Sequence, residues 1–551
     1  MADLGRRYRP NRRKFLALAG LTMGAGAGVA AFAELDGRRR GQAAAPAGGS
    51  PVSRPAPRSA EPAEPPRPAD WAALRRELAG GRLVRPGSPD YAAARLLFDP
   101  KFDDSRPGAI AYCSAPEEVS ACLEFVRKFG LPVAVRSGGH SYGGWSTTSG
   151  LVLDVTPMAQ VRLNASAGTA RVGAGTLLID LYSQLAGQGV TVPAGSCPTV
   201  GVAGLALGGG VGVIGRLYGL TCDSLIGVQI VTADGVVREC DASMEPDLFW
   251  ACRGGGGGSF GVVTAFTFRT RPAPDLVLFY LTWPWAAAAN VVAAWQDWAP
   301  FASDELWSNL HLSAEPGGSE PRVSVGGTCA GGTRQLEAAL ETLYSATGSR
   351  PGTAFIRSEQ FLTAMLVEAG CSEQSVQACH LPSQHPAGVL TRPPEYAKSD
   401  FFTSKLPAGG IRQLIDQVQL MGQVAGASGA SGSVAFDACG GAINRVRPGA
   451  TAFVHRDALF LAQYSTSWTA SGDRAGAGTA EVARQRAWLA GLHAAMRPYA
   501  SGQAYQNYAD PDLADWQRAY YGANYPRLQR VKAAADPADL FRFPQSVELP
   551  A

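Results

Sequence analysis

Two short stretches constrain the fold of this chain more than any other feature. Residues 133–141 are VAVRSGGHS, a run with β-branched residues that ends in a glycine pair and a histidine. This pattern predicts a strand that runs into a tight loop, where glycine lets backbone N–H groups approach a bound anion. Residues 193–201 are PAGSCPTVG, in which Cys197 precedes a glycine-dense segment that reaches Gly215. Phosphate binding alone would explain the glycines of these stretches, but it would not explain the positions of His140 and Cys197. We expect the two stretches to meet in the folded protein.

The size and composition of the chain favour a large globular protein of two or three domains. It has 551 residues, of which 46% are hydrophobic and 17% are charged, which is enough for a large core. The net charge of +3 is small for this length, and no basic stripe with interleaved aromatic residues occurs. Nucleic acid is therefore not an expected partner. The 6 histidines are scattered and no Cys-x-x-Cys pair occurs, so no metal site is predicted.

The N-terminal segment is predicted to be a targeting signal. Residues 11–16, NRRKFL, resemble the twin-arginine export motif, and a Gly/Ala-rich run leads to the A-x-A-like cleavage site at 31–33. The run is about as long as a minimal membrane span but holds several glycines, so a lasting anchor is not expected. We therefore expect a signal peptide over 1–33, recognition by the twin-arginine export machinery, and an extracellular or cell-envelope location. Residues 34–70, rich in Arg, Ala, Pro and Ser, are expected to be a disordered linker.

Helix and strand patterns alternate through the rest of the chain and predict an α+β fold. Pro116 opens an amphipathic helix that places Val119, Leu123 and Val126 on one face. In the first half, strands are predicted over 131–135, 151–155 and 169–173, and helices over 116–128 and 177–188. In the second half, strands are predicted over 276–285, 305–313 and 322–327, and helices over 288–298 and 334–344. Cys371 and Cys379 are close enough for a local disulfide in an exported protein, although spacing alone does not establish the pairing.

The R-S-G-G-H motif at His140 and the G-x-C-P-T-V-G motif at Cys197 resemble those of the berberine bridge enzyme-like flavoproteins, in the vanillyl-alcohol oxidase superfamily. The resemblance runs from about residue 99 to residue 547. It implies bicovalent FAD, with His140 joined to the flavin 8α-methyl and Cys197 joined to flavin C6. It also implies a two-part PCMH-type FAD-binding domain over 71–275 and a substrate-binding domain over 276–500. In the latter we expect an antiparallel sheet backed by helices, and residues 501–551 should return to the FAD domain.

The resemblance implies a set of further cofactor contacts around these two residues. Segment 208–212, GGGVG, lacks the G-x-G-x-x-G spacing of a dinucleotide fingerprint, so its glycines are expected to lie against the flavin and pyrophosphate. The later glycine loop, 253–259, is expected to contact FAD, the alternative being a flexible surface loop. The implied contacts are Arg136, Ser137, Gly138, Gly139, Ser141, Gly195, Val200, Gly201, Gly204, Gly208, Gly209, Gly210, Asp223, Gly261, Val262, Val263 and Asn507.

The resemblance also implies the residues on the substrate side. Residues 505–508, YQNY, match the family's Y-x-N-Y, which makes Tyr508 the expected catalytic base and Tyr505 the next candidate. A phenol with a pKa near 10 is a poor base at neutral pH, so nearby positive charge or hydrogen bonds would have to lower that pKa. Gln463 can orient a substrate but cannot take a proton, and Leu461 is apolar. Many relatives carry histidine where this chain has Leu205, which leaves the substrate class open.

These residues together predict a FAD-dependent oxidase. Tyr508 would take a proton from a substrate hydroxyl while hydride passes to the flavin, and O2 would reoxidise the flavin to give H2O2. The expected small-molecule substrate is a sugar or oligosaccharide, or a hydroxylated secondary metabolite. In the family a small side chain at the position of Val200 accompanies oxidase behaviour and a larger one accompanies dehydrogenase behaviour. The alternatives are a dehydrogenase with another electron acceptor, and a flavin-carrying binding protein without turnover.

Overall fold

The computed structural model describes residues 64–314, 320–425, 430–468 and 480–551. The predicted signal peptide lies outside the described residues, as does most of the predicted linker. A helix over Pro68–Glu77 begins before the predicted end of that linker at residue 70. It forms because Trp71 and Leu74 bury their side chains in the adjoining core, so the ordered fold starts slightly earlier than the composition indicates.

Eighteen strands occur in the described residues. They are β1 Arg82–Val84, β2 Ala109–Tyr112, β3 Val133–Arg136, β4 Leu151–Asp154, β5 Val161–Asn164, β6 Thr169–Gly173, β7 Val190–Thr191, β8 Leu225–Val231, β9 Val237–Cys240, β10 Val262–Arg269, β11 Arg271–Pro272, β12 Leu276–Trp283, β13 Leu306–Ala314, β14 Arg322–Cys329, β15 Thr353–Glu359, β16 Glu395–Phe402, β17 Ser431–Ala438 and β18 Phe460–Ser467. The longer helices are Pro68–Glu77, Pro116–Phe129, Leu178–Ala186, Ala288–Trp298, Thr333–Thr347, Phe361–Glu368, Ala408–Ala425, Ala480–Met496 and Tyr525–Ala535. Shorter α-helices are Tyr91–Ala94, Val202–Leu207, Gly215–Tyr218, Pro246–Ala251, Ala442–Arg445 and Trp516–Tyr521.

The first half of the fold contains two sheets that share one core. The first has the order β1-β2-β4-β3, with β2, β4 and β3 parallel. The second has the order β5-β6-β10-β8-β9 and is antiparallel. The helix Pro116–Phe129 starts with proline in its first turn and ends at Gly130, whose φ of +61° suits glycine. The predicted strands and helices of this half are confirmed, with ends shifted by at most two residues.

The second half is built on a seven-stranded sheet with the order β15-β12-β14-β13-β17-β18-β16. Each neighbouring pair is antiparallel. One face packs on helices through large buried side chains such as Phe279, Leu310 and Phe436. Because side chains alternate along a strand, the other face carries a different set, including Gln463 and Ser465. The expected antiparallel sheet backed by helices is confirmed, and the whole is an α+β fold.

The C-terminal segment returns to the first half of the molecule. Lys532 and Asp536 form a fully buried ion pair of 2.7 Å, and the Lys532 ammonium also donates to the main-chain oxygens of Ser259 and Phe541. The Ser259 hydroxyl accepts the N–H of Val547. The bonds from Lys532 and Val547 to Ser259 hold the C-terminal end of the glycine loop 253–259 in place.

The cysteine pair considered above is joined: a disulfide links Cys371 and Cys379. It closes the loop that follows the helix Phe361–Glu368. None of the helices in the described ranges is both long and apolar enough to cross a membrane.

Candidate functional site

A cavity of about 670 Å³ lies where the two halves of the fold and the C-terminal segment meet. Tyr505 and Tyr508 line it from the C-terminal segment, as does Gly257 from the loop 253–259. The predicted cofactor residues that line it are Ser137, Gly138, Gly139, His140, Ser141, Gly195, Cys197, Val200, Gly201, Gly204, Gly261, Val263 and Asn507. The fold therefore brings the two sequence stretches together, as expected.

His140 follows β3 and is held in one orientation by two neighbours. Its ring stacks on Phe98 with a centroid distance of 3.8 Å, and its Nε2 lies 2.8 Å from the Thr199 hydroxyl oxygen. Burial lowers the pKa of His140 to about 3, so the imidazole is neutral at physiological pH. When Nε2 donates its proton to Thr199, Nδ1 carries the lone pair that a covalent bond needs.

Cys197 converges on the same hydroxyl from the other side. Its Sγ lies 3.9 Å from the Thr199 hydroxyl oxygen. Burial raises the pKa of the Cys197 thiol to about 11, against hydrogen bonds from Thr199 that lower it. His140 and Cys197 therefore share one hydroxyl partner and one cavity.

Several glycines around these residues expose main-chain atoms to the cavity, where a flat cofactor could lie directly against the backbone. A Cβ on Gly204 would meet no atom within 4 Å, so this position opens into the cavity. Gly256 and Gly258 have φ values of +87° and +82°, which favour glycine and turn the loop against the cavity. The N–H groups of Gly138 and His140 donate to no protein acceptor in the described chain. Such unpaired main-chain N–H groups beside glycine fit the pyrophosphate of a dinucleotide. The glycine loop 253–259 lines the cavity and is therefore not a flexible surface loop.

Six predicted cofactor residues do not line the cavity, and three of them are not glycines. Arg136 donates to Asp154 at 2.5 Å in a buried ion pair, although it directly precedes the lining loop. Asp223 is paired with the buried Arg456 at 2.7 Å. Val262 lies in β10 and is fully buried in the core. Their side chains are directed into the protein, because buried charges need a partner and a central strand position needs an apolar side chain.

The glycines at 208–210 also lie behind the cavity wall and do not contribute to its lining. A Cβ on Gly208 would overlap the Asn507 side chain, and one on Gly209 would overlap the Phe453 ring. One on Gly210 would collide with another side chain in the same way. Glycine is required there because the side chains of Asn507, Phe453 and Thr221 pack directly on this backbone, so the prediction that these glycines contact the cofactor finds no support in the cavity lining.

Tyr505 holds this segment in place. Its hydroxyl accepts the N–H of Gly210 at 3.0 Å and that of Val211 at 3.3 Å. The Asn507 amide also donates to it, at 2.9 Å, and burial raises the pKa of Tyr505 to about 12. The same amide donates to the main-chain oxygen of Leu205. Tyr505 and Asn507 thus connect the C-terminal segment to the glycines, which argues against Tyr505 as a catalytic base.

Tyr508 forms a stacked phenol pair with Tyr142, a residue that the motifs did not single out. The ring centroids are 5.5 Å apart and the rings are within 6° of parallel. The Gln463 amide donates to the Tyr142 hydroxyl at 2.8 Å. Burial raises the pKa of both phenols well above the usual value, and the carboxylates Asp437 and Glu395 raise that of Tyr508 further. The expected lowering of the pKa of Tyr508 is not found, because the nearest charges are negative.

Three carboxyl groups with raised pKa values lie in or near the cavity, and none was predicted from sequence. Glu395 lines the cavity, and burial raises its pKa to about 7. Asp437, opposite Leu461 in the sheet, has a pKa raised to about 7 by burial. Glu368 also lines the cavity, and burial raises its pKa to about 8. These groups titrate near neutrality, which is the property expected of groups that exchange protons with a substrate.

Of the site residues that the sequence did not predict, only one has a sequence position that could have indicated a functional role. Tyr142 lies two residues after His140, so a tyrosine so close to the attachment loop could have been considered. Glu395 and Asp437 lie on different strands, so only the sheet register brings them near each other, and Glu368 ends a helix that the motifs did not connect with the site. Leu205 lines the cavity as well, so its wall is apolar where many relatives were expected to carry histidine.

Comparison with known proteins agrees with this site. A family model described as "FAD binding domain" matches residues 107–241, and one described as "Berberine and berberine like" matches residues 504–548. A FAD-linked oxidoreductase of Bacillus subtilis, YgaK, is 33% identical over 473 residues, covering 85% of this chain and 96% of the relative. The chitooligosaccharide oxidase of Gibberella zeae is 31% identical over 458 residues, covering 80% of this chain and 87% of the relative. The solved structure of Physcomitrella patens BBE-like 1 has a TM-score of 0.77 at 31% identity, covering 87% of this chain and 99% of that one.

The fold and the cavity define a flavoprotein with a PCMH-type FAD-binding domain and a separate substrate domain. With relatives of this identity and coverage, the chain belongs to the berberine bridge enzyme-like family. It is a FAD-linked oxidoreductase, as the motifs at His140 and Cys197 predicted.

Proposed function

We propose that this chain is an exported oxidase that carries FAD on two covalent bonds, from His140 to the 8α-methyl and from Cys197 to C6. It oxidises a hydroxyl group of a sugar, an oligosaccharide or a hydroxylated secondary metabolite, and O2 accepts the electrons to give H2O2. The observation that carries this proposal is the position of His140 and Cys197 on either side of Thr199, in the cavity that also holds Tyr508. Bound FAD supplies the acceptor for the hydride and for the electrons that pass to O2.

The surroundings of both attachment residues support covalent bonding. The neutral His140 ring is held by Phe98 and Thr199, so its orientation costs no entropy when the bond forms. Cys197 is one of eight cysteines outside the disulfide; seven of these are buried, while Cys197 is partly exposed and lines the cavity. That contrast supports a chemical role for this sulfur, because a buried thiol is inert.

The sheet face that carries Gln463 supports a polyhydroxylated substrate. On this face the hydroxyls of Ser433 and Ser465 pair at 2.8 Å, as do those of Ser431 and Ser467. Alternation along the strands places these serines on the same side as Gln463. A ladder of hydroxyls and an amide offers donors and acceptors to a sugar chain beyond the reacting unit, as the name of the chitooligosaccharide oxidase relative would suggest.

Tyr508 is the proposed base for the substrate hydroxyl. Its ring lines the cavity next to Tyr142, and Gln463 fixes the other phenol. Because burial keeps the pKa of Tyr508 high, the phenol serves only when its own proton passes on to a group of lower pKa. Asp437 and Glu395 are the two carboxyl groups that interact with it.

A substrate panel tests the proposal. The purified holoprotein is mixed anaerobically with chitotetraose, cellotetraose, glucose and cinnamyl alcohol, and flavin bleaching is recorded. We expect at least one to bleach the flavin rapidly and, in air, to yield one H2O2 for each substrate oxidised. Bleaching without peroxide would identify a dehydrogenase, and no bleaching by any hydroxyl compound would favour a binding protein.

Replacing Val200 by leucine should slow the reaction with O2 more than the reaction with substrate. Val200 lines the cavity, and its backbone is fixed because its oxygen accepts the N–H of Leu178 and its N–H donates to Cys197. The added methylene is therefore expected to project into the cavity and to narrow the approach of O2 to bound FAD. We expect reoxidation to fall about tenfold, as an overpacking cost of about 1–3 kcal/mol would produce. Stopped-flow measurement of the two half-reactions checks this, and equal effects on both would reject Val200 as an oxygen gate.

Replacing Arg12 and Arg13 together by lysine should retain folded, flavin-bearing protein in the cytoplasm. The twin-arginine pathway exports folded proteins, and lysine keeps the charge while removing the guanidinium groups. Fractionation of the producing cells, with yellow colour as the marker of loaded protein, measures the effect. Normal secretion of this double variant would show that export does not depend on the twin-arginine motif.

A further inference from the structure

Glu368 is a buried carboxyl group that the reaction as described so far does not use. It ends the helix Phe361–Glu368, is 2% exposed and lines the cavity. Its Oε1 has no hydrogen-bond partner among the described residues, and the charge that acts on it, that of Asp437, is also negative. A buried carboxyl group without a partner is costly to the fold. A ligand that supplied the missing partner would remove this cost.

The Gln374 side chain provides a second unpaired acceptor from the same segment of the chain. It lies in the loop that the disulfide closes and lines the cavity. Its Oε1 is buried and, within the described ranges, accepts no hydrogen bond. The loop is anchored to the neighbouring helix, because the His380 Nε2 lies 3.1 Å from a carboxylate oxygen of Asp180. Glu368 and Gln374 therefore present two acceptor groups to the cavity from a segment that is held in place.

The charged side chains that line the cavity favour a positively charged ligand. They are Glu368, Glu395 and Arg542, of which both glutamates are buried and the arginine is exposed. Glu395 already has a cation beside it, since the Lys101 ammonium donates to its main-chain oxygen at 2.7 Å and lowers its pKa. Glu368 has none, and it stands at the C-terminal end of its helix, where main-chain carbonyl groups add negative potential.

We propose that Glu368 binds an ammonium group of the substrate, with the Gln374 side-chain oxygen as a second acceptor. This inference rests on the proposed oxidation of a hydroxyl group and adds a basic nitrogen to the molecule that is oxidised. The substrate is then an amino sugar with free amines or another hydroxylated amine. An ammonium group has up to three N–H donors, which suits two acceptor side chains. A neutral hydroxyl group would leave the charge of the carboxylate unbalanced.

Affinities for charged and neutral ligands of similar shape test this proposal. The holoprotein is first reduced with dithionite in the absence of oxygen, so that no ligand is turned over. Calorimetry at about pH 7, where benzylamine is protonated, compares benzylammonium with benzyl alcohol, and the glucosamine tetramer with cellotetraose. We expect at least one ammonium ligand to bind about tenfold more tightly than its neutral counterpart, as a charge-assisted hydrogen bond would produce.

The variant E368Q should lose this preference, because it keeps the shape of the side chain and removes its charge. The matched control is E373Q, which makes the same change at an exposed position in the adjoining loop and should keep the preference. The ligand that shows the larger preference distinguishes an amino sugar from another hydroxylated amine. A wild-type protein indifferent to the ammonium charge in both pairs would overturn the proposal without any variant, as would a preference that survives in E368Q.

Infrared difference spectra identify the carboxyl group that binds the ammonium ion. Burial, and then the charge of Asp437, raise the pKa of Glu368 to about 8, so the free carboxyl group is mostly protonated at about pH 7. A bound ammonium ion favours the carboxylate, and the displaced proton passes to solvent. We expect the preferred ammonium ligand to remove a carboxylic acid band from the reduced holoprotein, and its neutral counterpart to leave that band in place.

The same loss should occur in E395Q and D437N, which alter the two other carboxyl groups, and should be absent from E368Q. A loss that persists in E368Q, or that disappears in E395Q instead, would overturn the assignment to Glu368. These measurements need no turnover, so they separate this proposal from the proposed function. If no hydroxyl compound bleaches the flavin, the proposed function fails, yet the binding of an ammonium ligand still reports on Glu368.

Discussion

Acid-precipitated holoprotein is expected to stay yellow when either His140 or Cys197 alone is replaced by alanine, and to release its FAD when both are replaced. Each residue contacts Thr199 and faces the cavity, so each can hold the flavin without the other. Denaturation removes every noncovalent contact but leaves covalent bonds intact. The change from full retention to full release is therefore an all-or-none result, measured as flavin absorbance in pellet and supernatant.

The matched control is Cys222→Ala, because Cys222 is also a free cysteine but is buried away from the cavity. It should retain both bonds, which mass spectrometry of the flavin-bearing peptides would locate at His140 and Cys197. If the double variant does not fold, the single variants still decide the matter, since each should show one flavin-bearing peptide and lack the other. Free release of flavin from the denatured wild type would show that neither bond exists.

The cofactor side of the site was predictable because its residues lie in short contiguous motifs. His140 follows a strand and a glycine turn, and Cys197 precedes a helix start, so local sequence largely determines where they face. Arg136 and Asp223 also lie in or beside such motifs, but their side chains do not line the cavity. A motif specifies which residues occur together but not which of them point into the cavity. Buried ion pairs with Asp154 and Arg456 turn these two side chains into the protein.

The proton-handling side was mostly not predictable, because it is assembled by sheet register and burial. Glu395 and Asp437 come from different strands, and Tyr142 comes from the attachment loop. Nothing in the local sequence around Glu395 distinguishes it from a solvated surface glutamate. Burial also reversed the expectation for the pKa of Tyr508, since the resemblance identified the residue but not the charges around it. A motif can thus identify the residues that take part in a reaction, while the pKa values of these residues depend on distant parts of the chain.

Replacing Tyr508 by phenylalanine should reduce the rate of flavin reduction about 10²–10⁴-fold, the usual cost of losing a positioned acid–base group. The change removes one hydroxyl and little volume, and the ring still stacks on Tyr142. No hydrogen bond joins the Tyr508 hydroxyl to another described residue, so no buried partner is left unpaired. Folding and flavin attachment should therefore survive, and anaerobic stopped flow measures the loss directly.

Tyr505→Phe is the matched control, because it makes the same chemical change three residues away with the opposite expected outcome. The Tyr505 hydroxyl accepts the N–H groups of Gly210 and Val211, and its removal leaves both unpaired in a buried place. An unsatisfied buried donor costs about 1–3 kcal/mol of folding free energy, so this variant should melt earlier while its flavin is still reduced at a rate within about tenfold of the wild type. Loss of stability without loss of rate in Tyr505→Phe, together with loss of rate without loss of stability in Tyr508→Phe, would separate the two tyrosines of the motif. A full rate in Tyr508→Phe would instead move the contact with the substrate hydroxyl to Tyr142, the phenol to which the Gln463 amide donates.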